Sequence, residues 1–316
     1  MTFQQLDAVF PPGRAGTPRS NATGRGAGVT VRGLTEGDPV AESRGESMAE
    51  FRTETKQHPD RAQQPDGHEA AVILEGARTS VDPELRAAID SLPGSMRRVA
   101  LYHFGWEHAD GTPAAGNAGK AIRPALVLAA ATALGGEQAR ASALRAAAAV
   151  ELVHNFTLLH DDVMDRDTTR RHRPTAWTVF GDADAILAGD ALQALALRLL
   201  AEDPHPASSA AAARLADCVV ELCEGQHADT AMEKRAPAEV TLDEVLTMAE
   251  AKTGALLGCA CAVGALYAGA SAEDVEALDA FGRQAGLAFQ LIDDVIGIWG
   301  DPGRTGKPAG DRKSVV

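Results

Sequence analysis

Three aspartates near the middle of the chain are spaced so that their carboxylates share one side of a helix. Asp161 and Asp165 are four residues apart, and Asp162 lies about 100° to one side. Like charges at this spacing repel one another, and a helix C-terminus disfavours negative charge. A bound cation offsets both effects, and carboxylate oxygens suit Mg²⁺ shared with substrate phosphates. Taken alone, such a cluster is more often a solvated acidic helix end.

A second acidic cluster follows another apolar stretch, which begins near Phe281. Asp293 and Asp294 end that stretch, Gln290 lies one helical turn before Asp294, and Asp301 continues the same face. Two acidic clusters that each end an apolar helix can face each other across a cavity. Such a pair predicts several Mg²⁺ ions held around one diphosphate.

Basic residues accompany both clusters. Each of them alone is typical of a solvated surface, but basic residues at a helix start, or just after an acidic cluster, suit anions. Together with the acids they indicate two phosphate sites, one bound through metal and one bound directly by Lys and Arg. The basic residues are Lys120, Arg123, Arg170, Arg171, Lys252 and Lys307.

The elements that position these residues are predicted to be helices. Aromatic residues make up only 4% of the chain, alanine is abundant, and no alternating strand pattern occurs. Asp82-Pro83-Glu84 predicts a helix start, and a further helix is expected from Pro124 to Leu134. The other predicted helical stretches are 138–165, 183–202, 207–232, 241–268 and 272–299.

The first 70 residues differ in composition from the remainder of the chain. They contain nine glycines and six prolines and have no helical or strand period, which predicts a disordered N-terminal tail. The segment has neither the basic start nor the apolar core of a signal peptide. The expected organisation is therefore a tail over 1–70 and one helical domain over 71–316.

Composition excludes several classes of function. The 316 residues carry a net charge of −14, which argues against nucleic acid and anionic membrane surfaces as partners. We find no apolar run of the ~18 residues that a membrane span needs. Four cysteines are too few for a disulfide scaffold and indicate a reduced, cytoplasmic protein.

From about residue 82 onward the sequence resembles the trans-isoprenyl diphosphate synthases, also called polyprenyl synthetases. The resemblance depends on an ordered set of motifs, which is specific as a set. The motifs are Gly119-Lys120-Ala-Ile-Arg123-Pro124, Glu151-Leu-Val-His154, Leu159-His160-Asp161-Asp162-Val-Met-Asp165, Arg170-Arg171-His-Arg-Pro174-Thr175, Gly189-Asp190, Gly225-Gln226-His-Ala-Asp229, Lys252-Thr253-Gly254 and Phe289-Gln290-Leu-Ile-Asp293-Asp294.

The resemblance implies an all-α isoprenoid synthase bundle around a central cavity, usually in a homodimer. After Lys307-Pro308 the family continues with further helices that we do not find, so we expect a fold shortened at its C-terminus. The implied activity is a Mg²⁺-dependent head-to-tail condensation, with Mn²⁺ as an alternative metal. Isopentenyl diphosphate would be joined to an allylic diphosphate of the dimethylallyl, geranyl or farnesyl type.

The family also implies a role for each matching residue. The implied Mg²⁺ ligands are Asp161, Asp162, Asp165, Asp293 and Asp294. Those implied to contact the allylic diphosphate directly are Arg170, Lys252 and Lys307. The implied site for isopentenyl diphosphate consists of Lys120, Arg123, His154 and Arg171. Thr253 and Gln290 would help to shape the site of the allylic cation.

Product length is expected to depend on two residues before the first acidic cluster. In the family, the positions five and four residues before Asp161 commonly set chain length, and here they hold Phe156 and Thr157. A single aromatic at the fifth position resembles geranylgeranyl diphosphate synthases and predicts a C20 product. Helical geometry alone leaves ordinary core packing open for Phe156, because it lies about 140° around the helix from Asp161.

Two other functions remain open from the sequence. A class I terpene cyclase shares the first acidic motif, but it needs no second diphosphate site and usually carries a second metal motif that we do not find. A truncated, non-catalytic partner subunit is suggested by the short C-terminus. Such subunits often lose the first acidic cluster, which this chain retains.

Overall fold

The computed structural model describes residues 67–299, except 115, 117 and 118. Its helices are α1 (Gly67–Asp90), α2 (Gly94–His103), α3 (Ile122–Ser142), α4 (Leu144–Asp165), α5 (Ala176–Phe180), α6 (Asp182–Ala201), α7 (Ser208–Met232), α8 (Leu242–Ala249), α9 (Ala255–Tyr267) and α10 (Ala272–Trp299). Strands β1 (Thr169–Arg170) and β2 (Arg173–Pro174) form a small antiparallel hairpin between α4 and α5. The predicted all-α class is confirmed.

Most predicted helices match, and two boundaries are wrong. The stretches predicted over 183–202, 207–232, 241–268 and 272–299 correspond to α6, α7, α8 with α9, and α10. The predicted start at Asp82 is wrong, because α1 begins at Gly67 and contains Pro83. Ala77 and Val81, on the turns before that proline, are buried, so tertiary packing stabilises the helix on both sides of it. The stretch predicted over 138–165 is divided at Ala143.

The core surrounds α4. This helix is buried continuously from Ala146 to Val153, and it packs on α6 and α3. Helix α9 is buried on nearly every side and packs between α3 and α10. A Cβ on Gly264 of α9 would lie only 2.2 Å from the carbonyl oxygen of Val127, so the small residue permits close contact between α9 and α3. The small residue at position 264 thus allows α9 and α3 to pack closely in the core beside α4.

One long apolar stretch needs separate comment. Residues Leu242–Tyr267, which comprise α8, α9 and the turn between them, are 26 residues long with a mean hydropathy of 1.2 in their most apolar window. By length and composition alone this stretch is sufficient to cross a membrane, which the sequence analysis did not anticipate. However, 78% of that window is buried inside the protein, as is typical of a core helix.

Candidate active site

The first acidic cluster lies at the C-terminal end of α4. Asp162 is buried, and one of its oxygens, Oδ1, accepts hydrogen bonds from Arg170 of β1, from Nε at 2.8 Å and from Nη2 at 2.7 Å. Its other oxygen, Oδ2, is also buried and accepts no hydrogen bond within the described chain. Burial raises the pKa of Asp162, while the Arg170 guanidinium opposes that rise. A buried carboxylate oxygen without a donor is a suitable ligand atom for a cation.

Asp161 is on the adjacent side of the same helix turn. Burial raises its pKa to about 6, Lys252 acts in the opposite direction, and Asp165 adds to the rise. Because both Asp165 and Lys252 act on the pKa of Asp161, the three side chains lie near one another at the end of α4. The structure therefore places Lys252, which the resemblance assigned to the allylic diphosphate, near Asp161.

Lys252 is held by a π-helical turn, Glu250–Gly254, between α8 and α9. Its Nζ forms an ion pair with Asp229 of α7. Burial alone would lower the pKa of Lys252, but Asp229 and then Asp161 outweigh it and raise the pKa. The ammonium group therefore stays charged between α7 and the end of α4.

The second acidic cluster reaches the same place from α10. The Thr253 hydroxyl donates to Gln290 Oε1 at 2.7 Å, and Gln290 Nε2 donates to Asp294 Oδ1 at 2.9 Å. Burial raises the pKa of Asp294, Asp293 raises it further, and Lys252 opposes both. Because Lys252 acts on the pKa of acids from both α4 and α10, the two clusters lie on the same side of the protein as its ammonium group. This arrangement agrees with the expectation that they face each other.

A group of basic residues lies beside α4, closer to its middle. Burial lowers the pKa of His154, and Arg123 and Arg171 lower it further, so the imidazole is neutral next to both guanidiniums. A Cβ on Gly119 would lie 2.6 Å from Arg171 Nη2, so the exposed Lys120 is attached to a loop that contacts Arg171. The structure thus places Arg123, His154 and Arg171 near one another, and Lys120 follows Gly119 on the loop that contacts Arg171.

The basic group contains a donor without an acceptor. Arg123 Nε is buried and has no hydrogen-bond partner in the part of the chain that the structure describes. Burial lowers the pKa of Arg123, and the carboxylate of Glu151 opposes this. A buried, partnerless N–H on a guanidinium group fits an anionic ligand.

The predicted metal ligands do not form a closed protein cage. Among the described residues, no three His, Cys, Asp or Glu side chains converge as a metal site. Asp162 keeps its buried Oδ2 available, whereas its Oδ1 is bound to Arg170. The all-oxygen donor set fits Mg²⁺ that takes its remaining ligands from water and substrate phosphate.

The two residues predicted to set product length have different surroundings. Phe156 of α4 is buried on the side that packs against α6. The centroids of its ring and the His160 ring lie 4.8 Å apart in an edge-to-face arrangement. His160 Nε2 lies 3.0 Å from the carbonyl oxygen of Ile186, and its ring occupies the space that a side chain on Gly189 would need. Thr157 donates its hydroxyl to the backbone of its own helix.

Three residues of the site were quoted in motifs without a role. Asp229 pairs with Lys252, Glu151 is the acid beneath Arg123, and Gln226 has both amide atoms buried without a partner among the described residues. The sequence contains a signal for Glu151, because this residue is the one charge within the apolar run from Ala146 to Val153. Lys307 and Asp301 lie outside the described residues.

An all-α protein in which two carboxylate clusters surround a lysine, beside a group of guanidiniums, has the donor set of proteins that bind diphosphates with divalent cations. Comparison with known proteins agrees with this class. Residues 112–314 match the family model of polyprenyl synthetases. The chain belongs to the polyprenyl synthetase family.

Individual relatives agree on the family and differ in product. A geranylgeranyl diphosphate synthase of Mycobacterium tuberculosis is 52% identical over 76% of this chain and 67% of the relative. A (2E,6E)-farnesyl diphosphate synthase of Mycobacterium bovis is also 52% identical, over 75% of this chain and 65% of the relative. The crystal structure of a polyprenyl synthetase from Streptomyces coelicolor A3(2) matches with a TM-score of 0.72 and 48% identity, over 76% of this chain and 70% of that structure. The chain thus spans about two thirds of the length of the two curated relatives.

Proposed function

We propose that the protein is a prenyl diphosphate synthase that condenses isopentenyl diphosphate head-to-tail with an allylic diphosphate. The observation that supports this most directly is that two separate groups of charged side chains lie along α4. One consists of the acidic clusters around Lys252, and the other consists of the guanidiniums around His154. A terpene cyclase ionises a single diphosphate and would not need the second site.

In this proposal each site holds one substrate. Asp161, Asp162 and Asp165 of α4, with Asp293 and Asp294 of α10, hold Mg²⁺ (or Mn²⁺) against the allylic diphosphate. When bound, the metal supplies Lewis acidity that makes diphosphate a better leaving group. Arg170, Lys252 and Lys307 bind the same diphosphate directly. Lys120, Arg123, His154 and Arg171 bind the diphosphate of isopentenyl diphosphate.

The protein's contribution to the reaction is mainly position and charge. Lys252 and Arg170 stabilise the negative charge that develops as the bond between C1 and the diphosphate oxygen breaks. Thr253 follows Lys252 in the π-helical turn, and its hydroxyl donates to Gln290 Oε1. In this proposal these two polar side chains help to shape the site of the allylic cation. The double bond of isopentenyl diphosphate attacks C1. A proton then leaves the product, and we assign the released diphosphate as the base that accepts it. Holding both substrates in register supplies much of the rate.

We further propose a C20 product, set by Phe156. Its ring is buried against His160, which is itself held by α6, so the side wall near the growing chain is rigid. One relative named for a C20 product and one named for a shorter product are equally similar to this chain, so identity does not choose between them. The protein is expected to act as a cytoplasmic homodimer.

The deciding experiment is incubation of the purified chain with Mg²⁺, isopentenyl diphosphate and each allylic starter, followed by mass analysis of the products. We expect geranylgeranyl diphosphate from the wild type and longer chains from Phe156→Ala. Thr157→Ala tests the second predicted position, and we expect a smaller shift there, because the threonine side chain is already small and its hydroxyl bonds to its own helix. Turnover of an allylic diphosphate without isopentenyl diphosphate would indicate a cyclase instead. No turnover with any starter would indicate a non-catalytic subunit.

A further inference from the structure

The hairpin between α4 and α5 turns at two residues whose types disfavour the backbone found there. Arg171 and His172, the central residues of the turn, have φ of 51° and 61°. A two-residue hairpin turn with positive φ at both positions suits glycine or asparagine better than arginine or histidine. Backbone of this kind persists where the surrounding structure fixes it. The contacts of the hairpin therefore show what holds Arg171 in place.

The residue that follows the turn, Arg173, attaches the hairpin to the end of α2 and to the loop after it. Its Nη1 donates to the carbonyl oxygen of Tyr102 at 3.1 Å, and its Nη2 donates to that of Glu107, also at 3.1 Å. Its guanidinium group lies 4.5 Å from the centroid of the Tyr102 ring. In return, the Tyr102 hydroxyl donates to the carbonyl oxygen of Pro174 at 2.8 Å. These four residues form a reciprocal clasp between the hairpin and α2.

The clasp also fixes the loop between α2 and α3. A Cβ on Gly105 would lie 2.9 Å from Arg173 Nη1, so this glycine allows the guanidinium group to approach the start of the loop. The amide of Gly116 donates to the carbonyl oxygen of Gly105 at 3.1 Å, which closes the loop on itself. Three residues later, a Cβ on Gly119 would lie 2.6 Å from Arg171 Nη2. Two glycines of one loop thus lie against two alternate arginines of one hairpin.

Arg170, the residue before the turn, is held in a different way. It pairs with Arg173 across the hairpin, but its guanidinium group also makes two hydrogen bonds to Asp162 of α4, at 2.7 and 2.8 Å. Loss of the Arg173 side chain should therefore leave Arg170 at the first acidic cluster. Arg171, in the turn itself, would lose its fixed position against the loop.

We propose that Arg173 is a positioning residue for isopentenyl diphosphate, which fixes Arg171 against the loop of Lys120 so that both side chains reach one diphosphate. This inference rests on the second diphosphate site of the proposed function. It adds a residue outside that site which assembles the site from two segments of the chain. The guanidinium group of Arg173 is occupied by two main-chain carbonyls and an aromatic ring, so we do not expect it to bind substrate itself.

Steady-state kinetics with each substrate varied in turn test this role. Arg173→Met keeps the aliphatic stem and removes both hydrogen bonds. The KM for isopentenyl diphosphate should rise about tenfold, which corresponds to one charge-assisted hydrogen bond lost between Arg171 and the diphosphate. The KM for the allylic diphosphate and kcat at saturation should stay within about twofold, because Arg170 remains bound to Asp162. Arg173→Lys can reach one of the two carbonyls and should give an intermediate KM.

Arg98→Met is the matched control. Arg98 of α2 donates Nη2 to the carbonyl oxygen of Ala109 in the same loop at 2.6 Å, and its guanidinium group lies 5.3 Å from the centroid of the Phe180 ring. These contacts are of the same kinds, but they reach the loop and α5 and not the hairpin. Arg98→Met should therefore lower Tm without changing either KM.

A milder variant decides the question if the Arg173 variants do not fold. Tyr102→Phe keeps the ring and removes only the hydroxyl that donates to Pro174. It should raise the KM for isopentenyl diphosphate about threefold, the factor expected for one neutral hydrogen bond. Titration with isopentenyl diphosphate without Mg²⁺ gives a readout that does not need turnover, and Kd should rise by the same factor as KM in each variant.

The outcomes distinguish this inference from the proposed function. An unchanged KM for isopentenyl diphosphate in Arg173→Met, or an equal rise of both KM values, would show that Arg173 serves the fold alone. Either result would overturn the inference and leave the proposed function intact. If the wild type neither turns over nor binds isopentenyl diphosphate, the proposed function itself is wrong, and the role of Arg173 fails with it.

Discussion

Replacement of Gly225 by alanine tests whether close packing of α7 against the π-helical turn positions Lys252. A Cβ built on Gly225 would lie 2.5 Å from the backbone nitrogen of Lys252 and 2.9 Å from the carbonyl carbon of Ala251. Both neighbours are main-chain atoms, so neither can rotate away. The methyl group can be accommodated only if α7 and the turn separate, and that movement would carry Lys252 and Thr253 with it.

The expected loss of stability follows from two opposing contributions. Alanine is favoured over glycine inside a helix by about 1 kcal/mol. Overpacking costs about 1–3 kcal/mol, and contact with rigid backbone places Gly225→Ala at the upper end, at about 3 kcal/mol. The net destabilisation is therefore about 2 kcal/mol, which lowers Tm by about 4–8 °C in a domain of this size.

Gly76→Ala is the matched control. Gly76 lies in α1, and a Cβ there would meet nothing within 4 Å, so only the helical preference remains. It should raise Tm by about 2–4 °C. Circular dichroism melts of both variants measure these shifts, and the product assay measures turnover. A displacement of about 1 Å at Lys252 should reduce turnover roughly a hundredfold in Gly225→Ala. A Gly225→Ala protein as stable and as active as Gly76→Ala would refute the reasoning.

Three further predictions concern single residues. Asp161→Asn should lower turnover by at least about a hundredfold while Tm stays unchanged or rises, because it removes a half-buried acid beside Asp165; normal turnover would contradict the metal assignment. His172→Gly should raise stability by about 0.5–1 kcal/mol, because His172 has φ of 61° in the turn between β1 and β2; a lower Tm would contradict this. The raised pKa of Glu151, about 7 against an ordinary 4.5, means that its folded form binds a proton more tightly than the unfolded chain. Its contribution to stability is therefore complete below about pH 4.5 and is lost as pH rises through 7, by about 3 kcal/mol in total. Melts at pH 5 and pH 8 should show this loss in the wild type and not in Glu151→Gln, and parallel behaviour of the two proteins would count against it.

The helical architecture could be predicted because its signals are local. Apolar periodicity and helix-forming composition depend only on neighbouring residues, so the stretch predicted over 272–299 agrees with α10 at both ends. The end of α4 at the first acidic cluster was predicted for the same reason. The predicted helix boundaries were wrong where tertiary packing overrides a local sequence signal. Pro83 lies inside α1 because the turns before it are buried.

Part of the site was likewise contained in the sequence. The residue types and spacing of Asp161, Asp162 and Asp165 indicate hard-cation chemistry before any fold is known. The spacing could not tell which partner each acid has. Asp162 is bound by Arg170 at 2.8 Å, and Asp161 is coupled to Lys252, which is 91 residues away in the chain (252 − 161).

Only the tertiary structure decided which charged side chains are buried, which form ion pairs and which are exposed. Glu151 is a single charged residue in an apolar run, and only the packing of α3, α4 and the hairpin brings Arg123 and Arg171 near enough to oppose the rise of its pKa. The ion pair between Asp229 and Lys252 likewise needs the close approach of α7 to the π-helical turn. Chemistry of this kind depends on distance and on exclusion of water, and both are set by contacts between residues far apart in the sequence.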